Sequence, residues 1–233
     1  MTEQKILTVT NPKLEKGKKE NFHTFGIHLA PSTASGYNVC AFASNGCINA
    51  CLNTAGRGQF VNVQTARIKK TKRFFDDREN FMMQLDKEIS AEIRKAYKKN
   101  LTPAFRPNLT SDLKWEKIGF TDSNGTHWPN LMSKYPNLQT YDYTKIPIKH
   151  RQNLPFNYSL TFSLSETNDE HARAALKLGT NVAVVFNDKP KTFWGFDVIN
   201  GDNTDLRFLD EKVKIVGLST KGVAKKDTSG FVR

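Results

Sequence analysis

The stretch Tyr158-Ser-Leu-Thr-Phe-Ser163, Leu164-Ser-Glu-Thr-Asn168, Asp169-Glu-His-Ala-Arg-Ala-Ala-Leu-Lys-Leu178, Gly179-Thr180 and Asn181-Val-Ala-Val-Val-Phe186 decides the fold class. Its first six residues alternate as a strand does. A polar cluster follows, and then a helix from Asp169 to Leu178 that Gly179 closes as a C-cap. Asn181 to Phe186 is an almost unbroken apolar run, the pattern of a parallel strand buried on both faces. Strand, polar cluster, helix and strand together form one βαβ unit.

Working outward, the same order recurs. Phe22 to Pro31 reads as a strand stopped by proline. Val63 to Asn100 is helical, with Phe74, Phe75, Phe81, Met82, Leu85, Ile89 and Ile93 at core-facing spacing and Asp76-Asp77-Arg78-Glu79 as a break. Thr102 to Asp112 is a short strand ending in a polar cluster. Trp128 to Tyr135 reads as a short helix, and Leu138 to Tyr143 and Val213 to Leu218 as strands. Asp197 to Asp210 reads as a polar loop. About six such units predict a partial (β/α)6 TIM-like barrel over 22–233, preceded by a basic arm over 1–21. Most polar clusters follow a strand directly, and in barrels that edge forms the active face.

All three cysteines, Cys40, Cys47 and Cys51, fall in one loop rich in glycine, asparagine and serine after the first strand. The odd number and the length of the chain argue against a disulfide framework. Three thiols in one loop point to a metal centre with an open coordination position. Zinc and iron–sulfur both remain open on spacing, because six residues and then three separate the cysteines.

The net charge of +12 is densest in 13–19, 67–73, 94–99 and 221–226. It suits nucleic acid or another polyanion as partner, or simply a solvated surface. No segment approaches the roughly 18 apolar residues of a membrane span. The start lacks a signal-peptide core, so the expected compartment is the cytoplasm. No Walker loop, Ser-His-Asp order or paired-histidine zinc motif occurs.

The residues at the strand ends with the chemistry to bind a ligand are Arg106, Asn108, Ser111, Asp112, Tyr141, Asp142, Lys145, Ser163, Glu166 and Asn168. Arg57, in Gly56-Arg57-Gly58, adds an anion-pairing candidate.

Five stretches together resemble a bacteriophage family known as gene product eighty-eight: Cys40 to Gly58, Asn108 to Asp112, Tyr141 to Lys145, Thr161 to Asn168 and Asp205 to Asp210. The resemblance implies a phage-encoded protein of the host cytoplasm and carries no reaction with it. A more remote resemblance is to radical S-adenosylmethionine enzymes, whose cysteine loop also follows the first barrel strand. It implies that Cys40, Cys47 and Cys51 hold a [4Fe-4S] cluster with one open iron, and that S-adenosylmethionine is a possible cofactor. That superfamily spaces its cysteines by three and then two residues, with an aromatic residue before the last. Here Ala50 holds that place. The expected function is small-molecule binding above the cluster, with or without catalysis. The alternatives are a metal-stabilised nucleic-acid-binding module and a redox carrier or sensor.

Overall fold

The computed structural model describes residues 4–10 and 12–233. Its centre is a nine-stranded sheet. In chain order the strands are β1 (Leu7–Thr8), β2 (Phe22–Ile27), β3 (Thr102–Arg106), β6 (Gln139–Thr144), β7 (Tyr158–Ser163), β8 (Val182–Phe186), β9 (Thr192–Phe193), β10 (Phe196–Asn200) and β11 (Ile215–Ser219). Between β3 and β6, β4 (Phe120–Thr121) and β5 (His127–Trp128) form a separate antiparallel pair. The helices are α1 (Pro12–Glu15), α2 (Asn45–Asn49), α3 (Val61–Asp76), α4 (Arg78–Lys98), α5 (Leu131–Lys134) and α6 (Asp169–Lys177).

Across the sheet the order is β1-β2-β3-β6-β7-β8-β11-β10-β9. Every pairing from β2 through to β10 is parallel, and only the two edge pairings are antiparallel. This corrects the expected partial barrel, because the sheet stays open. Closure requires the outermost strands to pair with each other. Here β1 and β9 are two-residue strands that pair on one side only, with β2 and β10. The final strand also enters between β8 and β10 rather than at an edge.

β10 lies inside the segment expected to be a polar loop. Asp197 and Asn200 hide the strand pattern, and the strand is only partly buried near the sheet's edge. The β9–β10 hairpin turns through Trp194 and Gly195, at φ +55° and +83°. Two successive left-handed residues are what a two-residue turn between twisted strands requires. Trp194 is held there under the guanidinium of Arg173, 4.1 Å from its ring.

Alternation along each strand sorts side chains to two faces. On β2, His23, Phe25 and Ile27 face α4: His23 Nε2 meets Glu92 Oε2 at 2.9 Å, and Phe25 and Ile27 share a core with Phe81, Leu85 and Ile89. A second core joins β7, β8 and α6 through Phe162, Val182, Val184, Ala172 and Leu176. On the opposite face Ala104 and Tyr141 pack against Leu206, and Phe22 and Tyr141 meet the ring of Phe208. The helical stretch read as 63–100 is divided at Asp77 into α3 and α4, at the acidic break.

The segment read as an arm carries β1, α1 and a turn of 3-10 helix over Lys16–Glu20. Ile6 and Leu14 are buried. Residues 1–3 and 11 of it lie outside the described residues. No described helix is long and apolar enough to cross a membrane.

Candidate functional site

The carboxyl ends of β3, β6, β7, β8 and β11 open into a cavity of about 210 Å³, and Cys40, Cys47 and Cys51 all line it. The parallel sheet explains the convergence: every strand delivers its following loop to the same edge. Arg106, Asn108, Ser111, Asp112, Lys145 and Ser163 line the cavity as well.

The cysteine loop is built from short elements. Ser44 caps α2, its Oγ accepting from the Cys47 N–H at 3.2 Å. Glu166 grips the same turn. Its Oε1 accepts from the Gly46 N–H at 2.7 Å, and its Oε2 accepts from the Ser44 hydroxyl at 2.7 Å. Burial works against the Glu166 charge, but these donors hold its pKa below the usual carboxylate value. Gly46 has no room for a side chain, since an added Cβ would sit 2.7 Å from the Glu166 carboxyl and closer still to Ser229.

Two of the three sulfurs accept backbone N–H groups: Cys40 Sγ from Ser32 at 3.4 Å and Cys51 Sγ from Asn53 at 3.5 Å. Burial pushes the Cys40 thiol up to about 12, against the Ser32 N–H that lowers it. Burial likewise raises Cys51, while the Asn53 N–H, Arg67 and Lys145 pull it down. All three cysteines are free thiols, with no disulfide among them. Among the described residues, no group of three or more His, Cys, Asp or Glu side chains is gathered to hold a metal ion.

The opposite wall is polar and only partly satisfied. Arg106 Nη1 donates to Asp205 Oδ2 at 2.6 Å, and its guanidinium stacks over the Tyr143 ring at 4.7 Å. Burial disfavours the Arg106 charge, but Asp205, Tyr143, Tyr141 and Asp142 together outweigh it and raise the pKa. Arg106 Nε and the Tyr143 hydroxyl are buried without hydrogen-bond partners. Asp112 Oδ2 accepts from the Lys145 backbone N–H at 2.7 Å, whereas its Oδ1 has no hydrogen-bond partner. Burial raises the Asp112 pKa despite that backbone donor and the nearby Arg151. Lys145 Nζ donates to Ser163 Oγ at 2.7 Å and lies 5.4 Å from the Phe231 ring.

Other residues singled out in the sequence are spent on the fold or lie outside the cavity. Asn108 is fully engaged: its Oδ1 accepts from Ser111 Oγ, the Leu113 N–H and Trp115 Nε1, and its Nδ2 donates to Asp142. It therefore shapes the loop, with Ser111. Asp142 is fully buried beneath the cavity and accepts from Asn108 and from the Tyr158 hydroxyl. Burial pushes its pKa up to about 7, with Arg106 and those donors opposing. Tyr141 packs on Phe208, and Asn168 braces its own turn through the Ser165 N–H and the Ser163 carbonyl. Arg57 is exposed outside the cavity. His28 is turned toward Thr8 of β1, 3.3 Å away.

Sequence reasoning missed the apolar part of the lining: Leu109, Val185, Leu218, Ala224 and Phe231. Val185 and Leu218 alternate out of ordinary strands, with no local mark of a site. Phe231 belongs to a tail that pairs Val232 beside Val185 and fixes Arg233 on Asp169 and the Ser165 carbonyl. No run of sequence near Phe231 signals that long-range contact.

No curated protein and no solved structure matches this chain. A family model described as gene product 88 matches residues 4–233. With the match spanning nearly all of its length, the chain belongs to the gene product 88 family, a phage gene-product family.

Proposed function

We propose that the strand-end cavity is the working site, and that Cys40, Cys47 and Cys51 hold an iron–sulfur cluster there with one iron open toward a small molecule. The observation that carries this reading is the convergence of all three thiols on one cavity wall, opposite partly unsatisfied polar groups. The donor set suits the group: thiolates are the usual ligands of such clusters, and backbone N–H groups on their sulfurs tune them. A cluster takes each thiolate at a different iron, so its ligands need not crowd around one ion as zinc ligands do. When bound, the cluster would supply redox chemistry and a Lewis-acidic iron. The chain itself would contribute the rest: Glu166, Ser44 and Gly46 fix the turn that carries Cys47, and the apolar lining limits water. Asp112 lines the cavity with its Oδ1 without a hydrogen-bond partner, available to the small molecule. Kinship in chemistry to radical S-adenosylmethionine enzymes belongs to this proposal, without their barrel.

Anaerobic purification followed by iron and sulfide analysis and EPR of the reduced protein tests the reading. About four irons and four sulfides per chain, lost in a Cys47→Ser variant, is the expected result. A spectrum altered by S-adenosylmethionine would extend the reading to radical chemistry. Zinc without sulfide would overturn the cluster.

A further inference from the structure

The polar groups of the cavity are unequally matched, and that inequality describes a ligand. Three donors lack an acceptor or have capacity to spare: Arg106 Nε and the Tyr143 hydroxyl have no hydrogen-bond partner, and the Lys145 ammonium spends one of its three N–H groups on Ser163. A single acceptor, Asp112 Oδ1, lacks a donor. Buried polar groups are costly to leave unpaired, so the ligand that fits returns several acceptors and one donor.

The charges point the same way. Arg106 lies 2.6 Å from Asp205 and 3.9 Å from Asp142, Lys221 pairs with Asp202 at 3.1 Å, and Arg151, 3.8 Å from Asp112, is itself held by Glu116 at 2.6 Å. Among the described residues, Lys145 forms no salt bridge. Of the cations that line the cavity, Arg106, Lys145 and Lys221, the Lys145 ammonium is the one left to meet an anion, and a single negative charge answers it. A phosphate dianion would bring a second negative charge that no lining cation answers, at a desolvation cost. The cavity lining also has an apolar share, with Leu109, Val185, Leu218 and Phe231, which suits a hydrocarbon body.

We infer that the cavity binds a small organic monocarboxylate whose carboxylate meets Lys145 and Tyr143, whose hydroxyl or amino group donates to Asp112 Oδ1, and whose apolar body lies on Leu218 and Phe231. The inference rests on the proposed site being a ligand cavity, and it does not require the cluster.

The test is calorimetric titration of the full-length protein, as purified and after anaerobic iron–sulfide reconstitution, with 2-hydroxy-4-methylpentanoate, its primary amide and inorganic phosphate. The hydroxy acid is expected to bind in the millimolar range or tighter, and the amide at least tenfold more weakly. Lys145→Met should weaken acid binding at least tenfold, Lys145→Arg should restore most of it, and Tyr143→Phe should weaken it about threefold to tenfold. Circular dichroism melting confirms that each variant is folded, and Lys87→Met, exposed on α4 and outside the cavity lining, should bind as the parent does. Equal binding of acid and amide, preference for phosphate, unchanged binding in Lys145→Met, or no binding of the acid would each overturn the inference. Iron content measured on the same samples reports separately on the cluster, so the two ideas fail independently.

Discussion

Phe105 and Arg106 are neighbours on β3, and they belong to two different molecules in physical terms. Phe105 points to the helical face, where it joins Phe25, Phe81 and Leu85 in a closed apolar core. Arg106 points to the other face, where it meets Asp205 and Tyr143 and retains a buried N–H without an acceptor. The helical face is mainly apolar, and its His23 meets Glu92 at 2.9 Å. The other face leaves polar atoms open where the cavity forms. A folded chain tolerates such orphans at a stability cost chiefly where something binds. Stability and ligand chemistry are thus separated by a single residue step along the strands.

The strongest way to sharpen that contrast is Phe81→Ala. Phe81 is fully buried and lies edge-on to Phe74, with ring centroids 5.3 Å apart, so its loss should cost about 3–5 kcal/mol in urea unfolding. Hydroxy-acid affinity of the folded fraction should stay the same; a parallel loss of affinity would break the separation of faces. Gly46→Ala should cost less, about 1–3 kcal/mol, because the new methyl group collides with Glu166 and Ser229. Its larger consequence should be loss of iron after reconstitution, because the turn that carries Cys47 is displaced; retention of full iron would show that the turn relaxes without moving the thiol.

Glu166→Gln is a smaller perturbation. An amide cannot accept from both the Gly46 N–H and the Ser44 hydroxyl as the carboxylate does, so about 1 kcal/mol should be lost. Alkylation of Cys47, mapped by mass spectrometry in the metal-free protein, should accelerate. Unchanged alkylation would reduce Glu166 to a surface brace. The smallest effect on the fold at neutral pH concerns Cys40. Burial holds its thiol up to about 12, whereas an unfolded cysteine ionises near 8.5. Between those values the unfolded chain has released a proton that the folded chain keeps, so stability falls as pH rises above about 8.5. Urea titrations at pH 8 and pH 10 should show this loss, and Cys40→Ala should reduce the slope. An identical slope in that variant would mean that other groups govern it.

Much of this division was legible in the residues. The apolar run of β8, the strand of β7 with its helix, and the break between α3 and α4 were all written in short-range patterns. So was the gathering of Cys40, Cys47 and Cys51 in one loop, because those residues are near in sequence. The strand-end positions of Arg106, Asp112, Lys145 and Ser163 followed from the parallel order alone. The roles of Asn108, Asp142 and Glu166 did not, because polar residues at a strand end look alike until their partners are known. Asn108 and Asp142 lie 34 residues apart, yet Asn108 donates both its backbone N–H and its Nδ2 to Asp142.

Sequence by itself determined the layering: parallel strands, helices between them, and polar loops gathered at one edge. Periodicity and turn chemistry act over a few residues, so they can be read without the fold. Whether the sheet closes was decided by tertiary structure alone. Closure depends on which distant strands pair, and here β11 inserts between β8 and β10 while β1 and β9 end the sheet. The cavity's ligand preference was decided at the same level, because an unpaired donor is defined by the partner it fails to meet.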